Sequence, residues 1–253
     1  MKKLLASDLD GTLIHNGEIK QCDKESILKL KKSNNIFGVS TGRPYKGITS
    51  LINEHGIDID FYVLLNGAYI LDKDLNVLKR ELIPYHIIKT IFEKYDNYTL
   101  FGVEEGMQTS LLYGETVFCW DDIYRRTIDE LEDKECLLLS IHFANNKIEE
   151  IDEICNEINR EFSQDVVAYR NAQFVDVVPK GCSKGNGVKQ VCEMMNISMD
   201  NVYTIGDSFN DVSMFNITKN SFSFPNVEEK LKEHVNFIVD SVSECIEKHI
   251  LGE

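Results

Sequence analysis

Short apolar runs alternate with amphipathic segments in the first and last thirds of the chain. Runs rich in Val, Ile and Phe, each long enough for one buried strand, are separated by segments whose apolar residues recur with helical spacing. This alternation is typical of a parallel sheet that is covered by helices. Strands are predicted at residues 4–8, 36–40, 61–65, 201–205, 222–224 and 237–239, helices at 24–32 and 184–196, and a hairpin at 69–72 and 77–82.

The middle third follows a different pattern, in which strands of period-2 character are mixed with helices. Helices are predicted from Pro84 to about residue 95, around 121–131 and at 147–162, and strands at 98–104, 109–113, 137–143, 166–169 and 174–178. This block interrupts the α/β pattern in the manner of an inserted α+β domain, in which Trp120 is expected to be packed. We therefore expect a core domain of residues 1–82 and 182–253 and an inserted domain of residues 83–181.

The excess of acidic residues disfavours some classes of binding partner. The 253 residues include 27 Lys and Arg against 42 Asp and Glu, so the formal net charge is −15, and 43% of the residues are hydrophobic. This composition is that of a soluble globular protein, and its charge disfavours nucleic acid and anionic membranes, which require clustered basic residues. The sequence also lacks any apolar run of the roughly 18 residues that span a membrane. Seven scattered cysteines without a C-x-x-C pair indicate reduced thiols and a cytoplasmic protein.

The first candidate for chemistry is a pair of carboxylates at the end of the first predicted strand, in the run Asp8-Leu9-Asp10-Gly11-Thr12. Carboxylates two residues apart in a pleated chain point to the same side, where they repel each other unless a cation lies between them. Oxygen ligands of this kind suit Mg²⁺ together with waters and a substrate phosphate. The alternative is an acidic turn that caps the next helix.

Two further signals could serve a phosphate group. Thr41 and Gly42 end the second strand, where a hydroxyl and a backbone N–H can bind phosphate oxygens, although Ser or Thr before a helix is also an ordinary N-cap. Lys184 begins an amphipathic helix, where the helix dipole disfavours a cation unless an anion is close. A plain surface lysine is the alternative there.

A second acidic cluster, Gly206-Asp207-Ser208-Phe209-Asn210-Asp211, directly follows the strand at 201–205. Its alternative is an Asp N-cap with a solvated first helical turn. In open α/β sheets the carboxyl ends of the strands converge on one ligand site. Four such ends offer a carboxylate pair, a hydroxyl, a cation and more carboxylates, which together favour Mg²⁺-assisted phosphoryl transfer over four separate coincidences.

The order of these motifs resembles that of the haloacid dehalogenase (HAD) superfamily of phosphatases. The motifs are Asp8-Leu9-Asp10-Gly11-Thr12, then Thr41-Gly42-Arg43, Lys184, and Gly206-Asp207 with Asn210-Asp211. An insertion between the second and third motifs is similar to the type IIB cap of the Cof-like sugar-phosphate phosphatases. The resemblance implies a Rossmann-like α/β core with a parallel sheet flanked by helices, plus an inserted α+β cap. Residues 222–226 and 239–242, at the distal edge of the predicted sheet, depart from the family's pattern.

The resemblance also implies catalytic roles. Asp8 would be the nucleophile that forms an aspartyl-phosphate, and Asp10 would protonate the leaving group and later activate water. Thr41, the Gly42 N–H and Lys184 would hold the transferring phosphoryl oxygens.

For the cofactor, the resemblance implies Mg²⁺ held by the Asp8 carboxylate, the Asp10 carbonyl and Asp207. Asp211 would support this shell, and Asn210 would orient Lys184 or Asp211.

The resemblance also implies substrate contacts from Arg43, Asn66 and Asn210 in the core. Arg170, Asn171 and Gln173 are the candidates in the cap, where a solvated hairpin tip is the alternative. The expected function is hydrolysis of small phosphorylated metabolites, with sugar phosphates favoured by the resemblance, by a monomer or weak homo-oligomer. A phosphomutase of the same fold and a non-catalytic phosphate-binding protein remain as alternatives.

Overall fold

The computed structural model describes residues 2–95, 97–115 and 123–252. In these residues the strands are β1 (Leu4–Ser7), β2 (Ile36–Ser40), β3 (Phe61–Leu64), β4 (Tyr69–Asp72), β5 (Val77–Arg80), β6 (Leu100–Glu104), β7 (Thr109–Tyr113), β8 (Ile123–Arg125), β9 (Leu138–His142), β10 (Val166–Asn171), β11 (Phe174–Pro179), β12 (Val202–Ile205), β13 (Asn220–Ser223) and β14 (Phe237–Ile238). The helices are α1 (Gln21–Lys32), α2 (Lys46–His55), α3 (Tyr85–Lys94), α4 (Ile148–Glu161), α5 (Lys184–Met194), α6 (Val212–Phe215), α7 (Glu229–Lys232) and α8 (Val242–Glu244), which continues into a π-helical turn at Cys245–Leu251.

Eight strands form one sheet in the order β14-β13-β12-β1-β2-β3-β4-β5, which we call the core sheet. The strands from β14 to β3 are parallel, and β4 and β5 add an antiparallel hairpin. β1 lies between β2 and β12, a strand from the last third of the chain. The direction in which the chain builds the sheet therefore reverses at β1, and ligands of open α/β sheets bind beyond the carboxyl ends of the strands at such a point.

The other six strands form a second sheet in the order β10-β11-β9-β6-β7-β8, which we call the cap sheet. It is antiparallel except between β7 and β8. Val103, Ile141 and Val177 are fully buried on one face, in one apolar cluster with Ile88 of α3 and Ile151 of α4. Since side chains alternate along a strand, residues of the opposite parity project from the face that these helices leave open.

The predicted fold class is confirmed, and the predicted strands coincide with observed strands to within two residues at either end. The strands predicted at 36–40, 69–72 and 109–113 match β2, β4 and β7 residue for residue. The helical segments α2, α6, α7, α8 and Cys245–Leu251 were not predicted individually. Within the described ranges, no helix combines the length and the apolar character needed to cross a membrane.

The helix predicted around residues 121–131 is wrong where the structure describes this segment. Ile123–Arg125 forms β8, which pairs in parallel with β7, and Ile128–Leu131 forms only a short 3₁₀ turn. The open edge of β7 accounts for the difference, because it offers this segment backbone hydrogen bonds. These bonds continue to Arg126, whose N–H donates to the Leu111 carbonyl at 3.2 Å. Trp120 lies outside the described residues.

The contact between β2 and β3 gives a test of the core packing. A Cβ at Gly38 would lie 2.2 Å from the ring of Phe61, which is fully buried and has no room to move. We expect Gly38→Ala to lower the free energy of unfolding by about 1–3 kcal/mol, measured by urea unfolding, because overpacking displaces the ring. Gly102→Ala is the matched control, since its Cβ would meet its nearest neighbour at an ordinary 3.6 Å. Equal effects of the two substitutions would contradict this account.

Candidate active site

Three neighbouring strands of the core sheet end at the candidate site. Asp8 directly follows β1, Thr41 follows β2 and Asp207 lies two residues beyond β12. The pairing of β1 with both other strands holds these ends side by side, and the Asp8 N–H donates to the Ile205 carbonyl at 2.9 Å. Residues far apart in the sequence thus meet at one edge of the sheet.

Lys184, the first residue of α5, lies at the centre of the site and is only 2% exposed. Its ammonium donates to Asp8 Oδ1 at 2.7 Å, to Asp211 Oδ1 at 2.6 Å and to Asn210 Oδ1 at 3.0 Å. Burial alone would lower the pKa of Lys184, but the carboxylates of Asp211 and Asp8 outweigh it and raise that pKa above its ordinary value. The lysine is therefore a fixed buried cation, as its position at a helix N-terminus suggested.

Asp8, Asp207 and Asp211 bring carboxylate oxygens within 4.8 Å of one another. Burial raises the pKa of Asp8 well above its ordinary value, and the charge of Asp211 raises it further. Burial also raises the pKa of Asp207, although Thr12 donates a hydrogen bond to its Oδ1 at 2.7 Å. Three carboxylates against a single ammonium leave an excess of negative charge that a divalent cation would neutralise, and ligands that are all oxygen fit Mg²⁺.

Asp211 is fully buried and supports the turn from which Asp207 projects. Its Oδ2 accepts hydrogen bonds from the N–H groups of Asp207 at 2.9 Å and Ser208 at 3.0 Å, while its Oδ1 accepts from Lys184. Asn210 is held in the same way, since its Oδ1 also accepts from the Ser208 hydroxyl at 2.5 Å. These contacts leave Asp8 and Asp207 as the more accessible carboxylates of the cluster.

Asp10 is the one predicted acidic residue whose side chain lies outside this carboxylate cluster. Its side chain is 55% exposed and accepts two hydrogen bonds from Arg43, from Nε at 2.7 Å and from Nη2 at 2.5 Å. Arg43 Nη1 also donates to the Gly47 carbonyl at 2.7 Å, which fixes the guanidinium at the start of α2. Asp10 therefore faces the same cavity as Asp8 but is held by Arg43 at its rim.

Asn66 joins the core to the cap sheet. It adopts φ 50° and ψ 35° in the Leu65–Gly67 turn, and its Nδ2 donates to Asp176 Oδ2 at 3.1 Å, whereas its buried Oδ1 has no partner among the described residues. Asp176 is 4% exposed, and burial raises its pKa to about 6. Asp176 was not among the predicted site residues, although it is the lone acidic residue in the apolar run of β11.

The site opens into a cavity of about 400 Å³ that lies between the two sheets. Predicted residues that line it are Asp8, Asp10, Thr41, Gly42, Arg43, Lys184, Asp207 and Asn210 from the core, and Arg170 and Asn171 from the cap sheet. Ala172, Ser208, Phe209, Glu228 and Leu231 also line it and were not predicted. Asn66, Gln173 and Asp211 lie outside this lining.

Comparison with known proteins identifies the family. The model of the haloacid dehalogenase-like hydrolases matches residues 5–246, and the chain belongs to this family. An uncharacterized protein of Mycoplasma capricolum is 30% identical over 96% of this chain and 99% of its own. The 5-amino-6-(5-phospho-D-ribitylamino)uracil phosphatase YcsE of Bacillus subtilis is 22% identical over 94% of this chain and 90% of its own.

A solved structure agrees with the family assignment. The HAD subclass IIB sugar phosphatase BT4131 superposes with a TM-score of 0.81 at 21% identity, over 96% of this chain and 95% of that one. The predicted family and the predicted enzyme class, a phosphoric monoester hydrolase, are confirmed.

The carboxylate cluster predicts a stabilising effect of Mg²⁺. At a concentration about tenfold above its Kd, we expect Mg²⁺ to raise the Tm by about 3–5 °C in a thermal unfolding scan, because the ion binds only the folded cluster. Asp207→Asn should abolish this rise, since it removes a ligand charge, whereas Asp200→Asn, at an exposed ion pair with Lys219, should keep it. A full rise in Asp207→Asn would contradict the assignment.

Asp176 predicts a pH-dependent contribution to stability. Its folded pKa of about 6 exceeds the ordinary 3.8, so the folded state holds the proton more tightly. The contribution of Asp176 to the free energy of unfolding is largest below pH 3.8 and is lost as the pH rises through about 6. The free energy of unfolding changes by about 3 kcal/mol over this range. Asp176→Asn should therefore stabilise the protein at pH 8 by up to about 3 kcal/mol and by less at pH 5, measured by urea unfolding.

Asp74→Asn is the control for this measurement. Because Asp74 is exposed, its substitution should change the free energy of unfolding neither at pH 5 nor at pH 8. An effect of Asp176→Asn that is the same at both pH values would show that burial of the ionised carboxyl is not its cause.

Proposed function

We propose that this chain is a Mg²⁺-dependent phosphatase that hydrolyses small phosphorylated metabolites, sugar phosphates among them, through an aspartyl-phosphate on Asp8. The observation that carries the proposal is the buried Asp8–Lys184 pair, at 2.7 Å, beside Asp207 in a cavity large enough for such a metabolite. A carboxylate held by a lysine needs no base to become a nucleophile.

In the first step, an oxygen of Asp8 attacks phosphorus and the bond from phosphorus to the ester oxygen breaks. Lys184 already donates to Asp8 Oδ1, which leaves Oδ2 as the attacking atom. Asp10 gives its proton to the leaving oxygen and later takes a proton from the water that attacks the phosphoenzyme and releases Asp8 and phosphate. Asp10 must leave Arg43 to do so, and Arg43 is then free to contact the substrate.

The negative charge on the transferring phosphoryl group is stabilised by cations and hydrogen-bond donors around it. Lys184 supplies a fixed cation, and the Thr41 hydroxyl and Gly42 N–H line the same cavity. Mg²⁺, held by Asp8, the Asp10 carbonyl and Asp207 with Asp211 behind them, would neutralise phosphoryl charge. Stabilisation of this kind is the main contribution of a protein to phosphoryl transfer.

We also propose the division into a core of residues 1–82 and 182–253 and a cap of residues 83–181. In its support, β1–β5 and β12–β14 share one sheet and β6–β11 share the other. A cap over the cavity would exclude bulk water from the phosphoenzyme. The six cysteines of the described residues are free thiols, which supports a cytoplasmic location, and we expect a monomer or weak homo-oligomer.

The test is phosphate release from sugar phosphates, nucleotides and pyridoxal phosphate, with and without Mg²⁺. We expect Mg²⁺-dependent release from sugar phosphates and a loss of about 10³-fold or more in Asp8→Asn, because no covalent route remains. Asp58→Asn is the control, since Asp58 is exposed at an ion pair with Lys31. Wild-type turnover in Asp8→Asn would refute the role of Asp8.

Two other outcomes would replace the proposal. Transfer of phosphate between phosphorylated sugars without net release would indicate a phosphomutase. Binding of inorganic phosphate without turnover of any ester would indicate a phosphate-binding protein.

A further inference from the structure

The cavity extends from Asp8 to the tip of the hairpin between β10 and β11, where Arg170 and Asn171 line it. The Arg170 side chain is 18% exposed, and its Nε donates to Asp152 Oδ1 of α4 at 2.6 Å. Its guanidinium carbon lies 5.9 Å from the centre of the Phe209 ring, in the turn just after Asp207. Arg170 is therefore fixed at the cavity wall by one contact on the cap side and one on the core side.

Arg170 differs from the other two cations of the cavity in what its nitrogens contact. Lys184 is saturated by Asp8, Asn210 and Asp211, and Arg43 donates through all three of its nitrogens to Asp10 and Gly47. Within the described residues, the only hydrogen bond of the Arg170 guanidinium uses Nε. Its two terminal nitrogens thus remain available to a ligand.

From the position of Arg170 we infer that its two terminal nitrogens contact the leaving group of a substrate. Lys184, Thr41 and Gly42 surround the phosphoryl position next to Asp8, whereas Arg170 projects from the cap hairpin that lies over it. Asp152 occupies only Nε and is 48% exposed, and Glu228, the other acidic residue at this end, is exposed to solvent. Because Asp152 accepts only from Nε, the two terminal nitrogens keep their capacity to donate to a group in the cavity.

We propose that Arg170 determines specificity for phosphate monoesters whose leaving group carries a second anionic group, a carboxylate or a phosphate. The inference rests on the proposed function and extends it to the substrate class. Two parallel N–H groups of a guanidinium match the two oxygens of a carboxylate or phosphate, which a single hydroxyl does not provide. Asn171 lines the cavity beside it, and its Nδ2 donates to Asp176 Oδ2 at 3.4 Å.

Matched substrate pairs test the inference. Glucitol 6-phosphate against 6-phosphogluconate, both open chains, varies a carboxylate, and fructose 6-phosphate against fructose 1,6-bisphosphate varies a phosphate. We expect kcat/KM of the wild type to be about tenfold higher or more for the anionic member of at least one pair, and Arg170→Gln to remove the preference while the neutral member changes less than twofold. The pair that responds identifies the anion.

Arg170→Lys and Arg160→Gln sharpen the result. Lysine keeps the charge but loses the fork, so it should restore only part of the preference. Arg160 is an exposed arginine of α4, remote from the cavity lining, and Arg160→Gln should leave every ratio unchanged. Equal losses on both members of a pair in Arg170→Gln would overturn the inference, because they would indicate a structural role.

Binding to Asp8→Asn gives a readout that does not depend on turnover. Isothermal titration calorimetry should show tighter binding of the anionic member by at least about fivefold, and this difference should vanish in the Asp8→Asn, Arg170→Gln double variant. Equal binding of both members overturns the specificity of Arg170 and leaves the phosphatase proposal intact. Absence of turnover on every ester overturns the phosphatase proposal instead.

Discussion

The contact between the Lys184 ammonium and the carboxylates of Asp8 and Asp211 is the constraint on which the rest of the site depends. All three groups are almost completely buried, and each alone would carry a large desolvation cost. Together they satisfy one another at 2.6–2.7 Å and join β1 to segments 176 and 203 residues further along the chain. The site is therefore complete only when the last third of the chain has packed beside the first strand.

Close backbone packing lets Lys184 reach this position. A Cβ at Gly185 would lie 2.0 Å from the Ser213 carbonyl oxygen, and one at Gly67 would lie 2.2 Å from the Ser183 carbonyl oxygen. The start of α5 thus lies in close backbone contact with the Leu65–Gly67 turn and with the start of α6, and a side chain at either glycine would push these segments apart. Two glycines without chemistry of their own set the geometry of the charged cluster.

The core of the site could be predicted from sequence because its residues sit at strand ends. A parallel sheet brings such ends together whatever the details of packing, so Asp8, Thr41 and Asp207 needed only the correct strand limits. The contacts of Asp176 and Arg170 could not be predicted in this way, because they depend on how the cap sheet lies against the core. The same limit explains the wrong helix around residue 125, where the free edge of β7 overrode the local pattern.

Because the protein as a whole is negatively charged, binding of an anionic substrate requires cations inside the cavity. A chain of net charge −15 repels a phosphorylated metabolite at long range, and salt removes this repulsion beyond about 8 Å at physiological ionic strength. Recognition must then come from donors inside the cavity, where Lys184, Arg43 and Arg170 are the basic lining residues. Lys184 and Arg43 are bound to Asp8 and Asp10 at the phosphoryl end of the cavity, whereas Arg170 lies on the cap side and donates only through Nε, so we infer that a second anion on the leaving group depends on Arg170. We therefore infer that selection of substrate by charge is a property of the cap hairpin rather than of the carboxylate and lysine cluster beneath it.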